Sequence, residues 1–202
     1  AAAARANAEL GLLDPALAAS IANAALTIAE GQLLAQFPID VFQTGSGTST
    51  NMNANEVIAT LASRQSGQVV HPNDHVNCSQ SSNDVIPTAI HVSAELALDN
   101  SLMPALYRLA DVIAAREADL TDIIKTGRTH LMDATPIRLG QEFTGYAGQA
   151  ERARRRVTLA CEALREVALG GTAVGTGVNT HPEFAARAIA YVNEGERLQL
   201  RE

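Results

Sequence analysis

The sequence predicts a mainly α fold of long antiparallel helices. Three observations carry that expectation. The chain is 47% hydrophobic but only 3% aromatic, with no Trp. Its core must therefore be built from Ala, Leu, Val and Ile, which suits close helix packing better than a β-sandwich. Apolar residues recur at helical spacing over long stretches. Between those stretches lie clusters of Gly, Ser, Thr and Asn, the composition of loops and helix starts. A length of 202 residues allows one large domain or two small ones.

The Ala-rich opening, Ala1 to Glu9, reads as the middle of a helix. It lacks the apolar stretch of a signal peptide and contains a Glu. Asp14-Pro15 is a helix start, with Asp as N-cap and Pro at the first helical position. Leu17, Ile21, Ala24 and Ile28 continue that helix to about Leu34, and Phe37-Pro38 breaks it. Ile39 to Gln43 reads as a short extended segment. A further helix is expected from Thr48–Asn51 to Arg64. Its first turn carries Thr48, Ser49, Thr50, Asn51 and Asn53, more hydroxyls and amides than capping needs. A helix N-terminus with surplus donors is also a ready anion site.

His71-Pro72-Asn73-Asp74 reads as a turn. Ser81 and Asp84 stand at capping-box spacing before an apolar stripe of Val85, Ala89, Val92 and Leu96. Asp99-Asn-Ser101 marks a bend. Leu102, Leu106, Leu109 and Ile113 then carry the helix to Asp119. Ile123 to Pro136 has no helical period. From about Ile137 a long helix resumes, with Phe143, Ala147, Ala150, Val157, Leu164 and Val167 on one face. Gly170 to Thr180 is a Gly/Thr loop, and His181-Pro182 starts a last helix reaching Asn193. A helix of 30 residues spans about 45 Å, too long to be covered within a chain of this size. Bundling with further copies, a helical homo-oligomer, is expected.

The net charge of −7 argues against a general nucleic-acid or anionic-membrane surface, and no apolar run approaches membrane-spanning length. Cys78 and Cys161 have no metal-ligand or redox spacing and read as reduced thiols. Gly45-Ser-Gly-Thr-Ser-Thr lacks the Gly-Lys-Ser/Thr of a P-loop, and Gly170, Gly171, Gly175 and Gly177 do not fit a dinucleotide fingerprint. His71 and His75 lie across a Pro-containing turn, with no further ligands to complete a zinc site. Ser81-Ser82 is not in a nucleophile-elbow context. No metal and no cofactor are expected. The ends carry no initiator Met and no clear cap, as a piece of a longer chain would.

The organising stretch is Thr126-Gly-Arg-Thr-His-Leu-Met-Asp-Ala-Thr-Pro136. It holds a histidine beside a hydroxyl, and His130 is the candidate base; a satisfied structural histidine fits the bare residues as well. Neutral donors suit a carboxylate substrate. Removing a proton beside a carboxylate creates a doubly charged aci-carboxylate, so that charge must be spread over many donors while a base pulls.

Five motifs resemble one family: Gly45-Ser-Gly-Thr-Ser-Thr-Asn-Met-Asn-Ala-Asn-Glu56, His71-Pro-Asn-Asp74, Ser79-Gln-Ser-Ser-Asn-Asp84, Gly127-Arg-Thr-His-Leu-Met-Asp-Ala-Thr-Pro136 and Gly170-Gly-Thr-Ala-Val-Gly-Thr-Gly177. In order and spacing they are similar to the fumarase/aspartase superfamily, and within it to the class II, metal-independent fumarases. His130 and Ser82 favour fumarase, since aspartases typically have Gln and Thr at those places. The resemblance implies reversible hydration of fumarate to (S)-malate in the tricarboxylic acid cycle. It implies a cytoplasmic homotetramer whose active sites draw on several subunits.

By the same resemblance His130 is the acid/base residue. Ser46, Gly47, Thr48, Ser81, Ser82, Asn83 and Thr129 are the substrate-binding residues. His71, Pro72, Asn73 and Asp74 form a secondary anion site, the B site. Gln68, Val69 and Val70 depart from the pattern, standing where members can carry a basic residue. The family's catalytic serine loop and substrate lysine would lie beyond residue 202, so the chain alone is expected to be inactive. Residues 1–80 would be the end of an N-terminal lyase domain and residues 81–202 the first part of the central helical bundle. The alternatives are an aspartate ammonia-lyase, another lyase of the superfamily, or a scaffold without catalysis.

Overall fold

The structure, a computed structural model, describes residues 1–40, 42–43 and 45–202. It is mainly helical. The order is α1 (Ala2–Glu9), α2 (Pro15–Ala29), α3 (Thr48–Ser66), α4 (Ser82–Ala97), α5 (Met103–Asp119), β1 (Ile124–Thr129), β2 (Met132–Arg138), α6 (Leu139–Leu164) and α7 (Phe184–Glu196). The chain forms two compact units, Ala1–Val92 with Arg165–Glu202, and Ser93–Leu164. No helix among the described residues is long and apolar enough to cross a membrane.

In the first unit, α2 starts as its sequence dictates. The Asp14 carboxylate accepts the N–H groups of Ala16 and Leu17, both at 3.0 Å, and Pro15 takes the first helical position. The helix stops at Ala29, short of the expected Leu34. Gly31 and Leu33 turn the chain with positive φ, and a single 3₁₀ turn, Leu34–Gln36, follows. The expected extended segment at Ile39 to Gln43 includes Val41, outside the described residues. Beside it, Phe42 N–H bonds the Asp40 carboxylate at 2.8 Å and Gln43 N–H bonds the Asp40 carbonyl, which makes a turn and not a strand.

Two cores hold this unit together. Leu13, Leu17, Ala18, Ile21, Ala59, Ala62, Val70 and Val76 pack α2 and α3 against one side of α1 through Ala4. Phe184, Ala188, Ile189, Val167, Leu169 and Leu200 gather on the other through Ala6, with Val85 and Val92 of α4 packed against them. Small residues let α1 sit between both. Asn7, fully buried in α1, donates to Cys78 O at 2.9 Å and accepts from Ser79 Oγ at 2.8 Å, tying down the stretch that precedes α4.

In the second unit α4 passes through a π-helical turn at Leu98–Leu102 into α5, at the bend expected around Asp99. α5 and α6 are antiparallel: Glu117 Oε1 accepts from Thr144 Oγ1 at 2.8 Å, while Tyr107 Oη accepts from Arg154 at 3.1 Å. No residue of α5 is buried, and Leu109 and Val112 stay exposed. The stretch Ile123 to Pro136, read only as non-helical, is a β-hairpin, and α6 begins at Leu139, just after the expected Ile137. α6 ends at Leu164, so Val167 is not on its face but in the Phe184 core.

Candidate functional site

The start of α3 is set by Gly47. It is the N-cap, with φ of 77°. A Cβ there would lie 2.8 Å from Ile86 Cγ2 on α4. Glycine is thus needed twice, for the left-handed backbone and for the close approach of the two helices. Because Gly47 has no side chain, no side-chain hydrogen bond caps α3. Ser46 and Thr48 face each other, Oγ to Oγ1, at 3.2 Å, and both are exposed.

The start of α4 carries the capping box expected from Ser81 and Asp84. Ser81 N–H donates to Asp84 Oδ1 at 3.0 Å, and Ser81 Oγ accepts from Asn83 N–H at 3.2 Å. The two helix starts are joined by a side-chain bond, Asn51 Nδ2 to Ser82 Oγ at 2.9 Å. Asn55, one turn along α3, donates to Asn77 Oδ1 at 3.1 Å, and Asn51 reaches the same oxygen at 3.4 Å. Of this carboxamide network of Asn51, Asn55 and Asn77, the sequence reading marks only Asn51. The network's signal was there: two Asn residues four apart, on one helical face.

The Gly/Thr loop joins the same place. Asp84 Oδ2 accepts from the N–H of Gly170 at 3.1 Å and of Thr172 at 2.8 Å, and Asn83 Nδ2 donates to Ala173 O at 2.7 Å. Ser46, Gly47, Thr48, Ser81, Ser82 and Asn83 therefore come from two helix starts that the fold brings side by side. Both starts present neutral donors and positive helix ends, the arrangement that holds a carboxylate without a cationic side chain.

His71, Pro72, Asn73 and Asp74 lie in the same unit, on a π-helical turn over Pro72–Val76. His71 caps it: its Nδ1 accepts from Asp74 N–H at 3.1 Å, and His71 N–H donates to His75 Nδ1 at 3.0 Å. His71, Asn73 and Asp74 are exposed.

Thr129 and His130 belong to the second unit. β1 pairs antiparallel with β2, from Ile124 opposite Arg138 to Thr129 opposite Met132. A bulge between Thr126 and Arg128 brings Gly127 onto the partner strand, where a Cβ would lie 2.5 Å from Thr135 O. The two-residue turn is His130-Leu131, both with positive φ, 49° and 62°. Two such residues define the turn that matches hairpin twist, though Asn and Gly are its usual occupants. Leu131 is 97% exposed, so no packing repays its backbone strain. Strain of this kind, held at a tip that presents His130 to solvent, is characteristic of functional positions. The hairpin's other end is anchored by Lys125 Nζ to Glu142 Oε1 at 2.6 Å and by Leu139 N–H to Ile123 O at 2.8 Å.

No cluster of His, Cys, Asp and Glu among the described residues could hold a metal ion. The donors at the paired helix starts are hydroxyls, amides and backbone N–H groups, which favour an anion over a cation.

The sequence pattern of a family described as lyase matches residues 1–200. A class II fumarate hydratase of Halobacterium salinarum is 54% identical over 206 residues, covering 100% of this chain and 44% of that protein. One from Mycobacterium tuberculosis is 55% identical over 187 residues, covering 93% of this chain and 39% of its own. The crystal structure of recombinant class II fumarase from Schistosoma mansoni superposes with a TM-score of 0.92 at 38% identity, covering 98% of this chain and 43% of that one. The chain thus spans less than half the length of these relatives.

Proposed function

The chain belongs to the lyase family, and from that premise we propose that it is part of a fumarate hydratase that interconverts fumarate and (S)-malate. The observation that carries this reading is the pairing of two neutral, donor-rich helix starts through Asn51–Ser82 and Gly47–Ile86. A dicarboxylate needs such a surface, and the chemistry needs it more as reaction proceeds. Loss of a proton beside one carboxylate puts a second negative charge on that group. Fixed donors then bind the aci-carboxylate more tightly than the substrate.

In this reading Ser46, Gly47, Thr48, Ser81, Ser82 and Asn83 hold the carboxylates, and Thr129 adds a hydroxyl beside the base. His130 does acid/base work. In the hydration direction it activates the water or relays its proton, as oxygen bonds to one alkene carbon, the π bond breaks, and its electron pair moves through the other carbon into that carbon's carboxylate, giving the aci-carboxylate. Protonation of that second carbon completes malate. His71, Pro72, Asn73 and Asp74 form a secondary anion site, supported by the exposure of His71, Asn73 and Asp74 and by the π-helical turn that gathers them. A homotetramer with shared active sites is supported by the uncovered face of α5. Residues 1–80 and 81–202 are assigned to successive domains of the complete protein, the helix start at Ser81 opening the second. The assigned setting is the tricarboxylic acid cycle in the cytoplasm.

The test is an assay of the full-length protein with (S)-malate and, separately, L-aspartate, following fumarate by ultraviolet absorbance and measuring ammonia. Fumarate from malate alone supports the hydratase. Fumarate with ammonia from aspartate would replace it by an ammonia-lyase, and silence with both would leave another lyase or a retired scaffold.

A further inference from the structure

Asp84 does more than a cap requires. It is 1% exposed. One oxygen, Oδ1, closes the capping box on Ser81 N–H at 3.0 Å. The other, Oδ2, takes two N–H groups that α4 does not need, those of Gly170 and Thr172, at 3.1 and 2.8 Å. These donors lie 86 and 88 residues further along the chain. An ionised carboxylate only accepts, and here both its oxygens meet donors.

What this clamp holds is a strained loop. Thr172 has a φ of 56°, an outlier for a β-branched residue. The next residue, Ala173, offers its carbonyl to Asn83 Nδ2 at 2.7 Å. Asp84 and its chain neighbour therefore grip two consecutive residues of one loop, Asp84 at the Thr172 N–H and Asn83 at the Ala173 C=O. Asn83 is exposed, and an exposed carboxamide would otherwise turn freely. A carbonyl partner accepts only from the NH₂ end, so the bond fixes which end of the amide faces which way.

We propose that Asp84 is a positioning residue: by clamping Gly170 and Thr172 it fixes the Ala173 carbonyl, which aims the Asn83 carboxamide at the substrate. The proposal rests on the hydratase reading, in which Asn83 binds a substrate carboxylate. It assigns the Gly/Thr loop a role in catalysis without contact to the reacting atoms.

Asp84→Asn keeps the shape and weakens what Asp84 holds: its NH₂ meets either the two loop N–H groups or the Ser81 N–H. Val174→Pro attacks the same link from the loop. Val174 is 77% exposed, and a proline there restricts Ala173, which now lies in a turn, to extended backbone, moving its carbonyl. In the full-length protein each change is expected to lower kcat/KM for malate by about 10- to 100-fold, the scale of a slightly misplaced binding group. In an Asn83→Ala background Val174→Pro should cost less than about threefold, because the group it aims is gone, while Asp84→Asn keeps only what it loses through Ser81. A purely structural role would give the same loss with or without Asn83, and that additivity would overturn the proposal. So would kcat/KM within about twofold of wild type for both variants, the margin of independent sites. If Asp84→Asn does not fold by circular dichroism, the Val174→Pro cycle decides alone. A wild-type protein inert towards malate would overturn the hydratase reading, and this proposal with it.

Discussion

The paired helix starts and the hairpin tip both carry conspicuous polar motifs, yet they are held in opposite ways. At the helix starts several candidates are held by residues far away in sequence. Ser82 is bonded by Asn51, Asn83 by the Ala173 carbonyl, and Gly47 is pressed on Ile86. At the tip, His130 is positioned by its own turn, with an exposed leucine beside it. On the proposed reading the first arrangement couples binding to folding, and the second separates chemistry from stability, since the imidazole is exposed at the tip.

That contrast can be broken most easily at His130. Its replacement by Asn in the full-length protein should lower kcat by about 10²- to 10⁴-fold, the usual contribution of a general acid or base. Thermal unfolding should stay where it is. Near-normal kcat would remove His130 from the mechanism, and a large drop in melting temperature would show that the tip is structural after all.

Gly47→Ala should do the reverse. The left-handed backbone and the approach to Ile86 both penalise a Cβ, by about 1–3 kcal/mol in total. Chemical denaturation should show that loss, with activity falling alongside it as α3 shifts on α4. Unchanged stability would mean that the two starts are not locked together.

The smallest effect is expected on the hairpin's flank. Arg128 Nε and Asp133 Oδ1 lie 3.3 Å apart across the strands, and both side chains are largely exposed. Asp133→Ala should cost no more than about 1 kcal/mol in thermal unfolding, as exposed pairs do. A larger loss would show that the tip borrows more rigidity from its strands than the turn geometry indicates.

The sequence was most legible where a physical signal is local. Asp14-Pro15 marked a helix start because a carboxylate and a ring both act within one turn, and Ser81 with Asp84 marked another for the same reason. The bend near Asp99 and the end of α5 at Asp119 followed from apolar periodicity. The hairpin was missed as a hairpin. Its turn is His130-Leu131 instead of Asn-Gly, and a bulge at Gly127 disturbs the alternation that marks a strand. The early end of α2 was missed because Leu33 and Leu34 continue an apolar pattern through a turn that Gly31 begins.

For the candidate site the division is similar. Short motifs, through their family resemblance, marked Ser46 to Thr48, Ser81 to Asn83, and Thr129 with His130 as candidates, because each is a run of chemically distinctive residues. Nothing in those runs says that Asn51 reaches Ser82, or that Asp84 reaches a loop 86 residues away. A residue's sequence neighbours set its backbone, its capping and its helical face, so composition and spacing were enough for a helical fold with neutral, donor-rich helix starts; the lyase reading came from the resemblance of the motifs to a family. Which donors meet depends on how helices pack, and packing is a property of three-dimensional contacts between apolar faces. Ala4 and Ala6 turn α1 toward two different cores; Gly47 lets α3 close on Ile86. Those contacts, made by residues with no chemistry of their own, bring the chemical residues together.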